Sequence, residues 1–221
     1  MSESFRSTTP RRGFLGRMAA AMAATGVGTL LPETAVGAPT PTRAADAKLE
    51  AWFNQMKGKH RQVFDAPEPN EGMPAIWPRV YLNTMEANYP GEGASAMVIL
   101  RHGGLPLAFQ DPLWAKYKLG EMFKINAGDT PATRNIYATI TGLPIPGLGI
   151  AELLKAGVLV GACDVALTVY SSMAAQRMSM DAAAVKQEWV AGILSGIQVV
   201  PSGVLAVGRA QELGCAYCFA G

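Results

Sequence analysis

The chain has two histidines and three cysteines in 221 residues, only 16% of its residues are charged, and no run of 18 or more apolar residues is free of charge and proline. Each shortage excludes something. Two histidines cannot build a His-rich metal centre, and no diagnostic spacing joins them to the cysteines, so no metal ligand is assigned. Without a long apolar run, a membrane-spanning helix is not the default. No Gly-x-Gly-x-x-Gly follows the first strand and no Gly-Lys-Ser/Thr closes a loop, so nucleotide binding is unsupported and no cofactor is implied. An excess of one charge is missing too. Before residue 48, five arginines stand against Glu3, Glu33 and Asp46, which accounts for the whole net charge of +2 and leaves the remainder formally neutral. That balance offers no electrostatic surface for nucleic acid. No internal repeat or heptad run competes with a globular reading.

What is present begins with an address. The stretch "TPRRGFLGRMAAAMAATGVGTLL" carries Arg11 and Arg12, then Phe14 and Leu15, then an Ala/Gly-rich run without a polar face. It resembles a bacterial twin-arginine export signal, with Pro10 where Ser or Thr is usual, and implies a periplasmic protein that meets the membrane only during export. A small-residue cleavage pattern ends at Ala38, where Pro39 is unfavourable, and another ends at Ala47. The stretch "PTPTRAADAK" lacks apolar periodicity and reads as a disordered linker. The expected division is therefore 1–47 for signal peptide and linker, and 48–221 for one domain.

Within that domain short apolar strands alternate with helices. "HRQVF" reads as a first strand, "AIWPRVYLNTMEANY" as a helix, and "SAMVILRH" as a strand buried on both faces. "DPLWAKYKLGEMFKI" reads as one helix with Asp111 as N-cap and Pro112 in its first turn. After a Pro/Gly-rich loop containing "TGLPIPGLG" come helix "IAELLKAG", strand "VLVGAC", helices "VALTVYSSMAAQRM" and "AAVKQEWVAGILSG", strand "IQVVPSG", helix "VLAVGRAQELG" and strand "CAYCF". The alternation predicts a three-layer α/β fold with a largely parallel sheet. The apolar loop suits a lid, an oligomer contact or a buried stabilising segment. Trp114 and Tyr117 read as a core stripe. Met178 and Met180 lack the further soft ligands that copper would need.

Read together, "HRQVFD", "VILRHGGLPLAF", "LWAKYKLGE", "LLKAGVLVGACDVAL" and "IQVVPSGVLAVGRAQELGCAY" resemble the DsrE/DsrF-like family of sulfur-relay domains, specifically its exported members, over residues 58 to 220. The resemblance implies a five-stranded parallel sheet with helices on both faces, assembly as a homo- or hetero-oligomer, and a cysteine at the position of Cys163 that carries a persulfide from a donor protein to an acceptor. A sulfurtransferase-like activity is thus an expectation. Its alternative is a noncatalytic small-molecule or partner-binding module on the same scaffold.

The residues give their own reasons for a site. In parallel α/β sheets ligands gather outside the carboxyl ends of strands, where His102 closes "VILRH" and Cys163 closes "VLVGAC". If their strands are neighbours, both flank one crevice, as the candidate catalytic pair. A helix starting after Asp164 aims N–H groups toward Cys163, while Asp164 opposes them with its charge. Gly103 beside the histidine, Asp164, and the turn residues Ser202 and Gly203 complete the candidate ligand-binding set; Ser202 also suits an N-cap. Each has a plainer alternative: a buried small thiol at Cys163, a turn histidine at His102, an ordinary capped turn at Ser202.

The last residues, "GCAYCFAG", hold Cys215 and Cys218. On an extended strand rising about 3.3 Å per residue, they stand roughly 10 Å apart and point to opposite faces. A disulfide needs Cα atoms about 4.4 to 6.8 Å apart, so these two read as separate, mostly buried thiols of a terminal strand, with Gly214 ending the preceding helix.

Overall fold

The computed structural model describes residues 43–221, with side chains from residue 47 onward. The twin-arginine stretch and the Ala38 cleavage pattern lie outside the described residues. Helix α1, Arg43–Phe53, begins inside the stretch expected to be a disordered linker. Its last turn explains why. Trp52 and Phe53, with Met56 just beyond, are buried against one face of the main sheet, and that gain outweighs the weak helical signal of "RAADAK".

The main sheet has five parallel strands: β1 (His60–Ala66), β2 (Ala94–Leu100), β5 (Leu159–Cys163), β6 (Gln198–Val200) and β7 (Ala216–Phe219), in the order β6-β5-β2-β1-β7. β2 lies at the centre, and its apolar run is divided between the faces by the two-residue period of a strand. Val98 and Leu100 pack on one side, Met97 and Ile99 on the other. The larger layer holds α2 (Met73–Asn88), a 3-10 segment (His102–Ala108), α3 (Asp111–Tyr117), α4 (Leu119–Phe123), α5 (Ile150–Lys155), α6 (Asp164–Met178) and α7 (Ala182–Ala191). α1 and α8 (Gly203–Glu212) form the smaller layer. The three-layer α/β fold with a five-stranded parallel sheet is therefore present. A two-stranded hairpin, β3 (Asn126–Ala127) and β4 (Thr130–Pro131), stands apart from it.

Three local expectations need correction. The helix expected over "DPLWAKYKLGEMFKI" breaks into α3 and α4 at Lys118, whose backbone is left-handed (φ 51°). Gln110, not Asp111, is the N-cap of α3; the Asp111 carboxylate instead accepts the Asn135 N–H at 2.9 Å and ties down the long loop. The helix expected through "AGILSG" stops at Ala191, because Gly192 gives its carbonyl to Gln110 N–H and Ile193 bridges Phe109. The "TGLPIPGLG" loop has an exposed tip, Leu143 being 49% exposed, and is anchored where Leu148 enters the core. Trp114 and Tyr117 are core residues, as expected. Among the described residues no helix is long and apolar enough to cross a membrane.

Candidate functional site

The connections leaving β5 and β6 depart to opposite faces of the sheet: β5 runs into α6 in the larger layer, β6 into α8 in the smaller. Neighbouring parallel strands that part in this way leave a crevice outside their carboxyl ends. Cys163 ends β5 and stands opposite Val200 of β6. It is also the N-cap of α6, where its Sγ accepts the Ala166 N–H at 3.4 Å. Sulfur thus occupies a place usually taken by a Ser, Thr, Asp or Asn oxygen, at a helix end that favours negative charge. The residue is 6% exposed.

Asp164 does not separate Cys163 from the helix as expected; it is the first helical residue. Its carboxylate pairs with Lys186 of α7, at 2.8 and 3.0 Å, which offsets the charge it would otherwise set beside the sulfur. Ser202 caps α8 by accepting the Leu205 N–H at 3.3 Å. Gly203 leaves room for a neighbour's stem: a Cβ there would lie 2.6 Å from Arg101 Cβ and 2.9 Å from its Cδ.

β2 and β5 are adjacent; Cys163 ends β5, but His102, expected to close β2, stands two residues beyond its last residue Leu100 and opens the 3-10 segment. His102 takes the left-handed region (φ 48°), uncommon for a side chain of its size. Its Nδ1 lies 2.8 Å from the Tyr170 hydroxyl of α6, and its Nε2 is 3.5 Å from a Glu68 oxygen. Burial pushes the Tyr170 phenol up to about 12, with the Glu68 charge adding to it, so near neutrality it keeps its proton. With its proton kept, the Tyr170 hydroxyl can donate to Nδ1. Gly103 makes the approach of Glu68 possible: a Cβ there would sit 2.4 Å from Glu68 Oε2.

A second group of residues lies at the same end of the sheet. Asp65, in the last turn of β1's pleat, is 3% exposed and takes Arg101 in two hydrogen bonds, Nε to Oδ1 at 2.6 Å and Nη2 to Oδ2 at 2.9 Å. The Tyr217 hydroxyl of β7 donates to Oδ2 at 2.9 Å. The Arg101 guanidinium holds its proton more tightly than usual, first through the bond to Asp65 and also through the Asp65 charge, against the cost of burial. Partial burial, then the Asp65 carboxylate, pushes the Tyr217 phenol up. The available hint was the acid closing "HRQVFD" and the arginine closing "VILR", since a charge inside a buried strand needs a partner.

Among the described residues no three His, Cys, Asp or Glu side chains gather as a metal site. Met178 and Met180 are each 37% exposed on and beyond the last turn of α6. Cys215 is buried in the core beside α1 and α8, and Cys218 packs against the opposite core; both are free.

No family model matches the chain, and no curated protein matches it. Among solved structures it is similar to a protein of unknown function, MTH1491 from Methanobacterium thermoautotrophicum, at 20% identity and a TM-score of 0.41, with 73% of this chain and 99% of that chain covered.

Proposed function

We propose that the protein is a periplasmic, DsrE-like carrier of sulfane sulfur that holds its cargo as a persulfide on Cys163. The observation that carries this reading is the position of Cys163 as both the end of β5 and the N-cap of α6, at the crevice between strands whose connections part. The chemistry is an exchange without net oxidation. The Cys163 thiolate attacks the outer sulfur of a donor persulfide R–S–SH, a bond forms between the two sulfurs, the donor's S–S bond breaks, and R–S⁻ leaves while the transferred sulfur keeps its proton. Transfer to an acceptor thiolate repeats the step in the other direction. The twin-arginine stretch supports an exported protein, and the resemblance in "VLVGACDVAL" and "IQVVPSGVLAVGRAQELGCAY" supports sulfur as the cargo. His102, held against the Tyr170 hydroxyl, lies at the same end of the sheet.

The test is mass spectrometry of the reduced protein after incubation with a small-molecule alkyl persulfide. One added sulfur on the Cys163 peptide, absent in Cys163→Ser, is expected. No added sulfur under conditions that load a known carrier would overturn the reading. The slight exposure of Cys163 favours a second reading, a noncatalytic binding module. It predicts that a captured small molecule or partner is retained by Cys163→Ala.

A further inference from the structure

We propose that β7 is a dimerisation edge: two copies of this chain pair their β7 strands antiparallel about a two-fold axis at Cys218, joining two five-stranded sheets into one.

The main sheet has two edges, β6 and β7, and they are finished differently. β6 is three residues long, Val200 at its end is buried, and the Gln198 side-chain amide donates to the Val199 carbonyl at 2.7 Å. A short edge whose backbone is occupied by a side chain resists a further strand. β7 lacks the usual protection. From Gly214 to Gly221 the chain has no charged residue and no proline, and Tyr217 and Phe219 are 46% and 54% exposed. An uncharged edge does not repel a copy of itself, and an isologous contact requires that self-complementarity.

The phase of the backbone then selects one register. Ala220 faces β1, because its N–H donates to the Asp65 carbonyl at 2.8 Å. With the two-residue period of a strand, Cys218 faces β1 as well, and Tyr217 and Phe219 turn their N–H and carbonyl groups to the free edge. Among the described residues the one side-chain contact to these groups is weak, from Cys218 Sγ to the Phe219 carbonyl at 3.7 Å. An axis at Cys218 sets Tyr217 against Phe219 of the second copy, and Phe219 against Tyr217 of the second copy. Both are hydrogen-bonded pairs, so every outward N–H of the two strands finds a carbonyl. An axis at Tyr217 would instead oppose Phe219 to Cys215, whose N–H is already held by the Ala210 carbonyl at 3.0 Å.

The side chains agree with this register. Tyr217 and Phe219 share one face of the sheet, so each opposed pair sets aromatic against aromatic, a favourable cross-strand combination. At the centre the two copies of Cys218 form a non-hydrogen-bonded pair, with Cα atoms about 4.5 Å apart. Each chain has one open edge and one blunted edge, so association closes at two.

The experiment uses the reduced full chain. Sedimentation equilibrium over a concentration series is expected to show monomer and dimer in exchange. Phe219→Lys is expected to raise the dissociation constant about tenfold, the scale of losing two aromatic pairs. Phe219→Tyr, which keeps those pairs, is expected to change it by no more than about twofold. Dibromobimane bridges two thiols only when they lie a few ångströms apart. Peptide mapping after its addition is expected to find Cys218 of one copy bridged to Cys218 of the other, with no bridged dimer in Cys218→Ser and less in Phe219→Lys at equal concentration. A monomer at every concentration, or a dimer that Phe219→Lys does not weaken, would overturn the proposal. A dimer without the Cys218 bridge would overturn the register, and assemblies that keep growing with concentration would overturn the closed two-fold arrangement. If circular dichroism shows that Phe219→Lys does not fold, the bridge in the unaltered chain decides.

Discussion

Asp65 and Arg101 meet between β1 and β2 through two hydrogen bonds, in a pair whose side chains are 5% and 28% exposed. A carboxylate this deep is stable only because both oxygens are engaged, and the arginine in turn depends on the carboxylate. Asp65→Ala should lower the unfolding free energy by about 3 kcal/mol, the lower end for breaking a buried pair, since the guanidinium keeps some water. Tyr217→Phe, which removes one hydrogen bond from a half-exposed phenol, should cost about 1 kcal/mol. Urea denaturation of the three proteins measures both. Equal losses would mean that the bond to Tyr217 accounts for the whole contribution of the carboxylate and the pair with Arg101 for none of it.

Two glycines of α8 should respond in opposite directions. Gly203 is buried against Arg101, and a methyl group there would press on its stem at 2.6 Å, so Gly203→Ala should destabilise the protein by about 1–3 kcal/mol. Gly208 lies later in the same helix with nothing within 4 Å of an added Cβ. There the helical preference of alanine acts alone, and Gly208→Ala should stabilise by about 0.5–1 kcal/mol. Thermal melts of the two variants check the contrast. A gain at Gly203 would show that Arg101 is free to move aside.

The sequence patterns that proved legible are those with a period. "SAMVILRH" and "VLVGAC" are continuous apolar runs because both faces of β2 and β5 are covered, and that identifies central parallel strands and marks Cys163 as a strand end, whereas β2 stops at Leu100, two residues before His102. The Ser202 cap was legible for the same local reason, a hydroxyl just before an apolar helical run. What escaped depends on register or on single backbone angles. Nothing in "HRQVFD" and "VILRH" says that Asp65 and Arg101 will lie side by side until β1 and β2 are aligned. The left-handed turn at Lys118 leaves no mark, since lysine is not a residue that signals one. The one-residue error at Asp164 has a chemical source. Aspartate is the better N-cap by preference, but the strand end fixes the position, and the sulfur of Cys163 takes it.

The terminal cysteines should behave as independent thiols. Cys215 and Cys218 face opposite cores, and burial pushes the Cys215 thiol up, with Arg61 opposing it. The thermal midpoint should be the same with and without a reductant, and the denatured protein should titrate three thiols. In the native protein Cys215 should react more slowly than Cys218, which is less buried. A Cys215–Cys218 link found by non-reducing peptide mapping would contradict the strand geometry.

Tyr170 gives the site a signature in alkali. Its phenol is pushed up to about 12 from an ordinary value of 10, chiefly by burial, so the folded chain holds this proton over a range in which the unfolded chain has released it. A group with a raised folded value contributes stability that is complete below the unfolded value and is lost as pH rises through the folded one. The contribution of Tyr170 is therefore whole below about pH 10 and fades toward about pH 12. Other tyrosines are raised as well, Tyr81, Tyr117, Tyr137 and Tyr217 among them, so the total stability falls over the same range. The difference between the unaltered protein and Tyr170→Phe isolates one residue. At about pH 8 the variant should be less stable by about 1 kcal/mol, having lost the hydrogen bond to His102 Nδ1. Between about pH 10 and 12 the gap should close and then reverse, because phenylalanine has no proton to lose on unfolding. Urea unfolding at several pH values measures the gap. A gap that stays constant would show that the phenol titrates alike in both states, and that its contact with His102 does not depend on the proton assigned to it.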